Sequence, residues 1–274
     1  MENRVNLVRR LSLRLQEFLG GLTDQAWSRP SPCDLWEVGD VVAHLVGGAE
    51  RQMGSMTRGR GGDAGPPPGF VATDVATLST GNAQRDVDMR RNLGSNLLDA
   101  FGRQYDQLCQ VLATFNPDGW ESPCWHARRG TITAQDYLNL RIQEMVIHDW
   151  DIRSTFDPDC ALDPEGVSAL APLVPTWLRM SFRPGPRLSQ PATYRFQVTG
   201  SAPSTMELTC WGDDFDSTSR LSAEPGVTVT CDGEAYLLYG YGRLTARDGI
   251  ASGRLAVEGD VSLLGSFEEW FKGL

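Results

Sequence analysis

The chain has 274 residues, and its 41% hydrophobic content is sufficient for a buried core in one large domain or two ordinary ones. Its formal net charge of -10 disfavours a nucleic-acid partner, because binding to phosphates needs a basic surface. No run approaches the roughly 18 apolar residues of a membrane-spanning helix, and the opening MENRVNLVRR lacks the apolar core of a signal peptide. We therefore expect a cytoplasmic protein without a membrane or nucleic-acid partner.

Apolar residues recur at three- and four-residue steps in four segments of the first two thirds of the chain, which is typical of amphipathic helices. Thr133 or Thr131 could cap the fourth helix. Four such helices with a shared interior predict a helical bundle. The segments are 2–20, 38–48, 85–115 and a last one that ends near Thr155.

Residues 54–72 contain nine glycines and prolines, which predicts a long loop and suggests a lid. Matching SPC tripeptides precede the second and fourth helices, so the bundle is interpreted as pseudo-repeated. Cys33 and Cys124 in these tripeptides are interpreted as small buried residues rather than as nucleophiles, and the six cysteines form no CxxC pair.

The composition changes after Phe182, where short β-rich runs alternate with Gly, Pro, Asp and Ser. The sequence predicts strands at 192–200, 205–211, 226–231 and 254–259, and helices at 233–243 and 260–272. We therefore predict a bundle over residues 1–182, followed by a small C-terminal α+β domain over residues 183–274.

The fourth predicted helix carries a polar stripe on an otherwise apolar segment. Glu144 and His148 are four residues apart on one face, and Arg141 and Asp151 extend it at three-residue steps. His44 lies among apolar residues of the second helix. Two imidazoles and a carboxylate would match the three-ligand set of a catalytic zinc site. Periodicity alone also permits a core histidine that is hydrogen-bonded to a carboxylate.

Three stretches resemble one family. WSRPSPCDLWEVGDVVAHLVGG and IQEMVIHDWDI resemble two signatures of the mycothiol-dependent maleylpyruvate isomerase and mycothiol S-transferase family, which belongs to the DinB-like superfamily. The tail, from GEAYLLYGYGRL to RLAVEGDVSLLGSFEEWF, is similar to the small C-terminal domain of that family. The resemblance covers nearly the whole chain and implies a DinB-like four-helix bundle followed by an α+β domain.

The resemblance implies that His44, Glu144 and His148 bind a divalent metal, for which we expect zinc. It also implies that Arg243 contacts the substrate or the thiol, while Asp151 matches the Trp-Asp pair of the family and is a second candidate catalytic residue.

Tyr137 and Arg141 lie on the same stripe as the metal ligands and are candidate cofactor-binding residues. Three positions depart from the family pattern, namely Glu37, Gly39 and Asp149. Two of these add acidic groups, which would repel a doubly anionic substrate if they faced the pocket.

The family implies mycothiol as the thiol cosubstrate. From the acidic departures we predict a metal-dependent mycothiol S-transferase, in which a metal-activated thiolate attacks a small electrophilic metabolite. The alternatives are a mycothiol-dependent cis-trans isomerase of the maleylpyruvate type and a non-enzymatic metal-containing binding protein. We expect a monomer or a homodimer.

Overall fold

A computed structural model describes residues 1–71, 75–200 and 203–272. The chain forms two compact units, Met1–Gly166 and Val167–Leu274. The first is helical and the second combines helices with a sheet, which confirms the predicted fold class. The predicted boundary between residues 182 and 183 is later in the chain than this division. The helix Val174–Ser181, which lies between the two boundaries, belongs to the second unit because its Trp177 stacks on Tyr241, with ring centroids 4.5 Å apart.

The first unit contains five long helices, namely α1 (Glu2–Gly20), α2 (Val38–Arg60), α3 (Val75–Leu93), α4 (Leu97–Ala113) and α5 (Ala134–Ser154). α1 and α2 each contact both α4 and α5, so these four form a bundle, and α3 packs mainly against α2. The predicted four-helix bundle is therefore confirmed.

Local sequence explains which face of α1 is buried and where α5 begins. Val8, Leu11 and Leu15 are fully buried at the helical spacing that defines the inner face of α1. α5 begins where the Thr133 hydroxyl accepts a hydrogen bond from the backbone N–H of Asp136 at 3.0 Å, so Thr133 is the N-cap.

The single helix predicted over residues 85–115 is wrong. α3 ends at Leu93, a short 3-10 turn occupies Gly94–Asn96, and α4 begins at Leu97. Gly94 has a φ of +51°, a left-handed conformation that a helix of L-residues does not continue. The apolar pattern continues across the break because α4 presents its own buried face to the bundle.

The loop predicted over residues 54–72 is wrong for its first part, because α2 extends to Arg60. This end of α2 packs on the strand that contains Trp125. Ser55 donates a hydrogen bond to the carbonyl of Trp125 at 2.6 Å, and Gly59 lies so close to the carbonyl of Pro123 that a side chain there would collide with it. These tertiary contacts outweigh the low helix propensity of glycine.

Residues 61–71 form the irregular connection that follows α2, and residue 72 lies outside the described residues. That this connection acts as a lid stays a prediction. The first unit also contains a hairpin that the sequence analysis missed. Its strands, β1 (Pro123–His126) and β2 (Gly130–Thr133), pair in antiparallel register, with Pro123 opposite Thr133, and precede α5 directly.

The division between the units falls within α6 (Pro164–Leu170). The strands of the second unit are β3 (Ala192–Thr199), β4 (Ser204–Cys210), β5 (Phe215–Thr218), β6 (Val227–Asp232) and β7 (Ala256–Gly259), and its further helices are α7 (Val174–Ser181), α8 (Gly233–Gly240), α9 (Ala246–Ala251) and α10 (Leu263–Trp270). The strands form one sheet in the order β5-β4-β3-β6-β7, in which β3 and β6 are parallel and the other neighbours are antiparallel. Four predicted strands and two predicted helices are present, and β5, α7 and α9 were not predicted.

The core of the second unit is aromatic. Phe196 on the central strand β3 packs against Tyr236 on α8 and Phe267 on α10, with ring centroids 5.6 and 5.4 Å away. The two helices therefore pack on one face of the sheet. No helix within the described ranges of the chain is both long and apolar enough to cross a membrane.

Candidate metal centre

The structure brings His44 from α2 together with Glu144 and His148 from α5. The Oε2 atom of Glu144 lies 2.7 Å from Nε2 of His44 and 3.5 Å from Nε2 of His148. The three ligand atoms lie within 4.8 Å of one another, in an arrangement that could hold a metal ion. The i, i+4 spacing on α5 and the packing of α2 on α5 produce this arrangement.

Each histidine is oriented by a buried carboxylate. Nδ1 of His44 donates to Asp86 at 2.9 Å, and Nδ1 of His148 donates to Asp151 at 2.8 Å. Both aspartate side chains are 0% exposed. With Nδ1 used in this way, Nε2 of both rings faces Glu144. Carboxylate–histidine pairs of this kind fix ligand orientation in metal sites, and two imidazoles with one carboxylate suit a borderline cation such as zinc.

The charges of the site support the same interpretation. The pKa of Glu144 lies well below its usual range, because attraction to His44 and hydrogen bonds from both histidines outweigh the effect of burial, which acts to raise it. The pKa of His148 is well above its usual value, since burial acts to lower it but hydrogen bonds to Asp151, Cys33 and Glu144 act more strongly. The interior is thus organised to stabilise positive charge beside an ionised Glu144.

Asp86 is a member of the site that sequence reasoning missed. It lies on α3 beside Arg85, whose Nε is 3.1 Å from its carboxylate. In the structure Asp86 follows the buried Ala83 by three positions and shares its face of α3, but the sequence alone shows only an acidic residue three positions after an alanine. That signal does not identify the imidazole of His44 as its partner.

The interpretation of Cys33 as a buried packing residue is wrong. Its side chain is half-buried, and its Sγ atom donates to Asp151 at 3.2 Å and lies 3.9 Å from Nδ1 of His148. Cys124, in the matching tripeptide, is buried, and burial together with the negative charge of Asp136 raises the pKa of its thiol to about 12. The two SPC tripeptides therefore have different roles.

Cys33, His148 and Asp151 form a second group whose ligand atoms could hold a metal. This group would use Nδ1 of His148, which already donates to Asp151. The set with His44 and Glu144 keeps that hydrogen bond, and we regard it as the better candidate. Trp36 packs against both imidazoles, with ring centroids 4.8 Å from His44 and 6.1 Å from His148.

The remaining predicted residues occupy different surroundings. Tyr137 is buried, its ring contacts that of His126 at 5.3 Å, and burial raises the pKa of its hydroxyl. Arg141 is buried in the bundle beside Gln52. Arg243 lies in the second unit, where it is half-buried and donates to the carbonyl of Tyr241. A role for Arg243 toward substrate or thiol stays a prediction.

The acidic departures from the family pattern are paired with arginines. Arg90 donates to Glu37 at 2.6 Å, and it lies so close to Gly39 that a side chain there would collide with it. Asp149 accepts from Arg14 at 2.6 Å and from Arg153 at 2.8 Å. These ion pairs reduce the repulsion of a doubly anionic substrate that was expected from the two carboxylates, and so weaken the support for the S-transferase hypothesis.

Comparison with known proteins gives the following matches. A family described as the mycothiol maleylpyruvate isomerase N-terminal domain matches residues 8–153, and one described as the SCP-2 sterol transfer family matches residues 188–272. Two uncharacterised proteins of Mycobacterium tuberculosis are each 23% identical over 136 residues. That match covers 50% of this chain and only 58% of the length of each relative.

Among solved structures, the chain is similar to the crystal structure of a mycothiol-dependent maleylpyruvate isomerase and to that of a mutant of such an enzyme. The TM-score is 0.64 for both, at 16% and 15% identity, and the alignments cover 95% of this chain and 94% of the other. At this level of identity the likeness shows the fold, including the succession of a helical bundle and an α+β unit.

Proposed function

Because the chain belongs to the mycothiol maleylpyruvate isomerase N-terminal domain family, we propose that it is a mycothiol- and metal-dependent enzyme that interconverts cis and trans isomers of a substrate of the maleylpyruvate type. The observation that carries this proposal is the pairing of His44 and His148, each held through Nδ1 by a buried aspartate, around Glu144.

A free thiol has a pKa near 8.5, so only about 3% is ionised at pH 7. A divalent cation held by His44, Glu144 and His148 would deprotonate a coordinated thiol and so raise the thiolate population about thirtyfold. The thiolate can then add to an activated double bond, the new single bond can rotate, and departure of the thiolate restores the double bond in the other geometry. The thiol is regenerated and acts as a cofactor.

The protein residues of the centre have distinct tasks in this proposal. His44, Glu144 and His148 provide the ligands, while Asp86 and Asp151 hold the imidazole rings in one orientation. Trp36 packs on the two rings and limits the access of water to them. Cys33 donates to Asp151 and so helps to position it, which leaves the nucleophilic sulfur to be supplied by mycothiol.

The S-transferase hypothesis rested on repulsion of a dianion by Glu37 and Asp149, and both carboxylates are paired with arginines. The isomerase is therefore the better-supported reaction, and it agrees with the name of the family to which the chain belongs. The two alternatives are transfer of the thiol to an electrophile and a purely binding role. The test below distinguishes both of them from isomerisation.

The test incubates zinc-loaded protein with maleylpyruvate and a substoichiometric amount of mycothiol. We expect the cis compound to convert to its trans isomer over many turnovers per thiol, as followed by proton NMR, with the mycothiol recovered unchanged by mass spectrometry. Conversion should require both thiol and metal, and His44→Ala should abolish it. His126→Gln, which changes the histidine outside the ligand set, is the matched control and should retain it.

Two results would contradict the isomerase proposal. Stoichiometric consumption of mycothiol with accumulation of a thioether would identify a transferase. The protein could also bind metal but neither convert maleylpyruvate nor form a thioether from neutral or sugar-derived electrophiles. That result would favour the non-enzymatic alternative.

A further inference from the structure

Arg141 is a buried arginine that has no ion-pair partner among the residues that the structure describes. Its side chain lies in the bundle interior, and the residue is only 4% exposed. Its Nε donates to the Oε1 atom of Gln52 at 2.8 Å and its Nη1 donates to the hydroxyl of Tyr105 at 3.1 Å. Within the described ranges no hydrogen bond involves Nη2. Both partners are neutral, so the guanidinium charge is not neutralised by direct contact.

Burial of a charge without an oppositely charged contact is costly, and proteins usually provide a partner. Arg141 nevertheless stays charged. Burial acts to lower its pKa, but the hydrogen bond with Tyr105 and the negative charge of Glu144 outweigh this effect and the pKa is raised. A cation bound at the candidate metal centre would compensate much of the charge of Glu144. The loaded protein would then hold Arg141 with even less compensation.

Other cationic groups lie near Arg141. Arg51 is exposed as a whole residue, but its pKa is lowered, first by desolvation and then by the repulsion of Arg85 and Arg141, which shows that its guanidinium lies close to theirs. Arg85 contacts Asp86, but Arg51 forms no ion pair with any described residue. Of these arginines, Arg85 is paired with a carboxylate of the candidate centre, whereas Arg51 and Arg141 have no carboxylate in direct contact among the described residues.

The position of the guanidinium relative to the ligands follows from helix geometry. Arg141 precedes Glu144 by three residues on α5. Its Nη2 lies 2.9 Å from the point where a Cβ atom of Gly48 would stand, and Gly48 follows His44 by four residues on α2. The backbone of Arg141 is thus about one helical turn, roughly 5 Å of helix, from that of Glu144, and its Nη2 atom lies beside a residue that is one turn from His44. The absence of a side chain at Gly48 allows this approach.

We propose that Arg141 binds a carboxylate of the substrate and so positions the bound molecule beside the candidate metal centre. This inference rests on the proposed isomerase function and assigns a binding residue to it. A carboxylate can accept two parallel hydrogen bonds from a guanidinium, which fixes both the position and the direction of the bound molecule. A cation bound at the candidate centre would increase the preference for an anion.

The test measures binding of maleate, a small cis dicarboxylate, to zinc-loaded protein without thiol by isothermal titration calorimetry. We expect Arg141→Met to weaken maleate binding by at least about tenfold while the zinc content stays the same, because the variant removes the charge but keeps an apolar side chain of similar length. Dimethyl maleate, which has no charge, should show no dependence on Arg141. Arg103→Met, an exposed position on α4, removes the same charge from the chain and should leave maleate binding unchanged.

A second variant keeps the charge and moves it. Gly48→Ala places a methyl group against Nη2 and should also weaken maleate binding, so the inference can be tested even if Arg141→Met does not fold. Equal maleate affinity in wild type, Arg141→Met and Gly48→Ala would overturn the proposal, as would the absence of maleate binding to the wild type. Binding of maleate that depends on Arg141, without isomerisation of maleylpyruvate, would support the carboxylate site and count against the proposed reaction alone.

Discussion

Asp86 on α3 accepts a hydrogen bond from Nδ1 of His44 on α2 at 2.9 Å, and its carboxylate is fully buried. This contact directs Nε2 of His44 toward Glu144. Asp151 does the same for His148 from within α5. The candidate centre therefore depends on two buried carboxylates in addition to its three ligands, and only one of them belongs to a motif that can be read along the chain.

We predict that the purified protein binds about one divalent metal ion per chain, with zinc preferred, because two imidazoles and one carboxylate are borderline ligands. His44→Ala and His148→Ala should each weaken metal binding by at least about tenfold. Elemental analysis after gel filtration measures the stoichiometry, and His126→Gln should keep the wild-type value. Full occupancy in both alanine variants would show that the ligand set is different.

Removal of the charge that orients a ligand should weaken metal binding without removing a ligand. Asp86→Asn and Asp151→Asn should each lower the metal affinity by about 10- to 100-fold, as measured by competition with a chromogenic chelator. Asp88→Asn is the matched control on α3, since Asp88 forms an exposed pair with Arg91. If the affinity of Asp86→Asn equalled that of Asp88→Asn, the contact with His44 would have no role in the metal site.

The stability of the metal-free protein should fall below neutral pH because of His126. Burial lowers the pKa of this side chain to about 4, and the backbone N–H groups of Arg128 and Arg129 point toward its Nδ1. In the unfolded chain His126 has a pKa near 6.5 and is protonated first as the pH falls. The stability that depends on neutral His126 is therefore present above pH 6.5 and is lost as the pH falls toward 4.

Because His126 is only half-buried, we expect it to account for a loss of about 1 kcal/mol in the free energy of unfolding between pH 7.5 and pH 5. Urea unfolding of wild type and His126→Gln at both pH values, with chelator present, measures the contribution of His126 to this pH-dependent loss. The same pH-dependent loss in the variant would exclude His126 as its source.

Two glycines of the first unit should respond in opposite directions to alanine. Gly94→Ala should lower the free energy of unfolding by about 1 kcal/mol, because Gly94 has a φ of +51° and open space around it, so only backbone strain is added. Gly54→Ala, within α2 and free of close neighbours, should raise it by about 0.5–1 kcal/mol. Destabilisation by Gly54→Ala would contradict the extension of α2 to Arg60.

The spacing of residues along the chain was sufficient to predict features that lie within a single helix. The burial of Val8, Leu11 and Leu15 on α1, and the shared face of Glu144 and His148 on α5, follow from the helical repeat, which depends on neighbours within a turn or two. The alternation of strands and helices in the second unit was also read from local patterns and turn residues.

The tertiary structure decided the features that depend on partners distant in the sequence. Asp86 contacts His44, Cys33 contacts Asp151, and Gly59 continues α2 because it approaches Pro123. Glu37 and Asp149 are paired with arginines for the same reason. A sequence pattern gives the direction of a side chain around its own helix, whereas the group that it meets depends on the register and packing of a second element, which long-range burial determines.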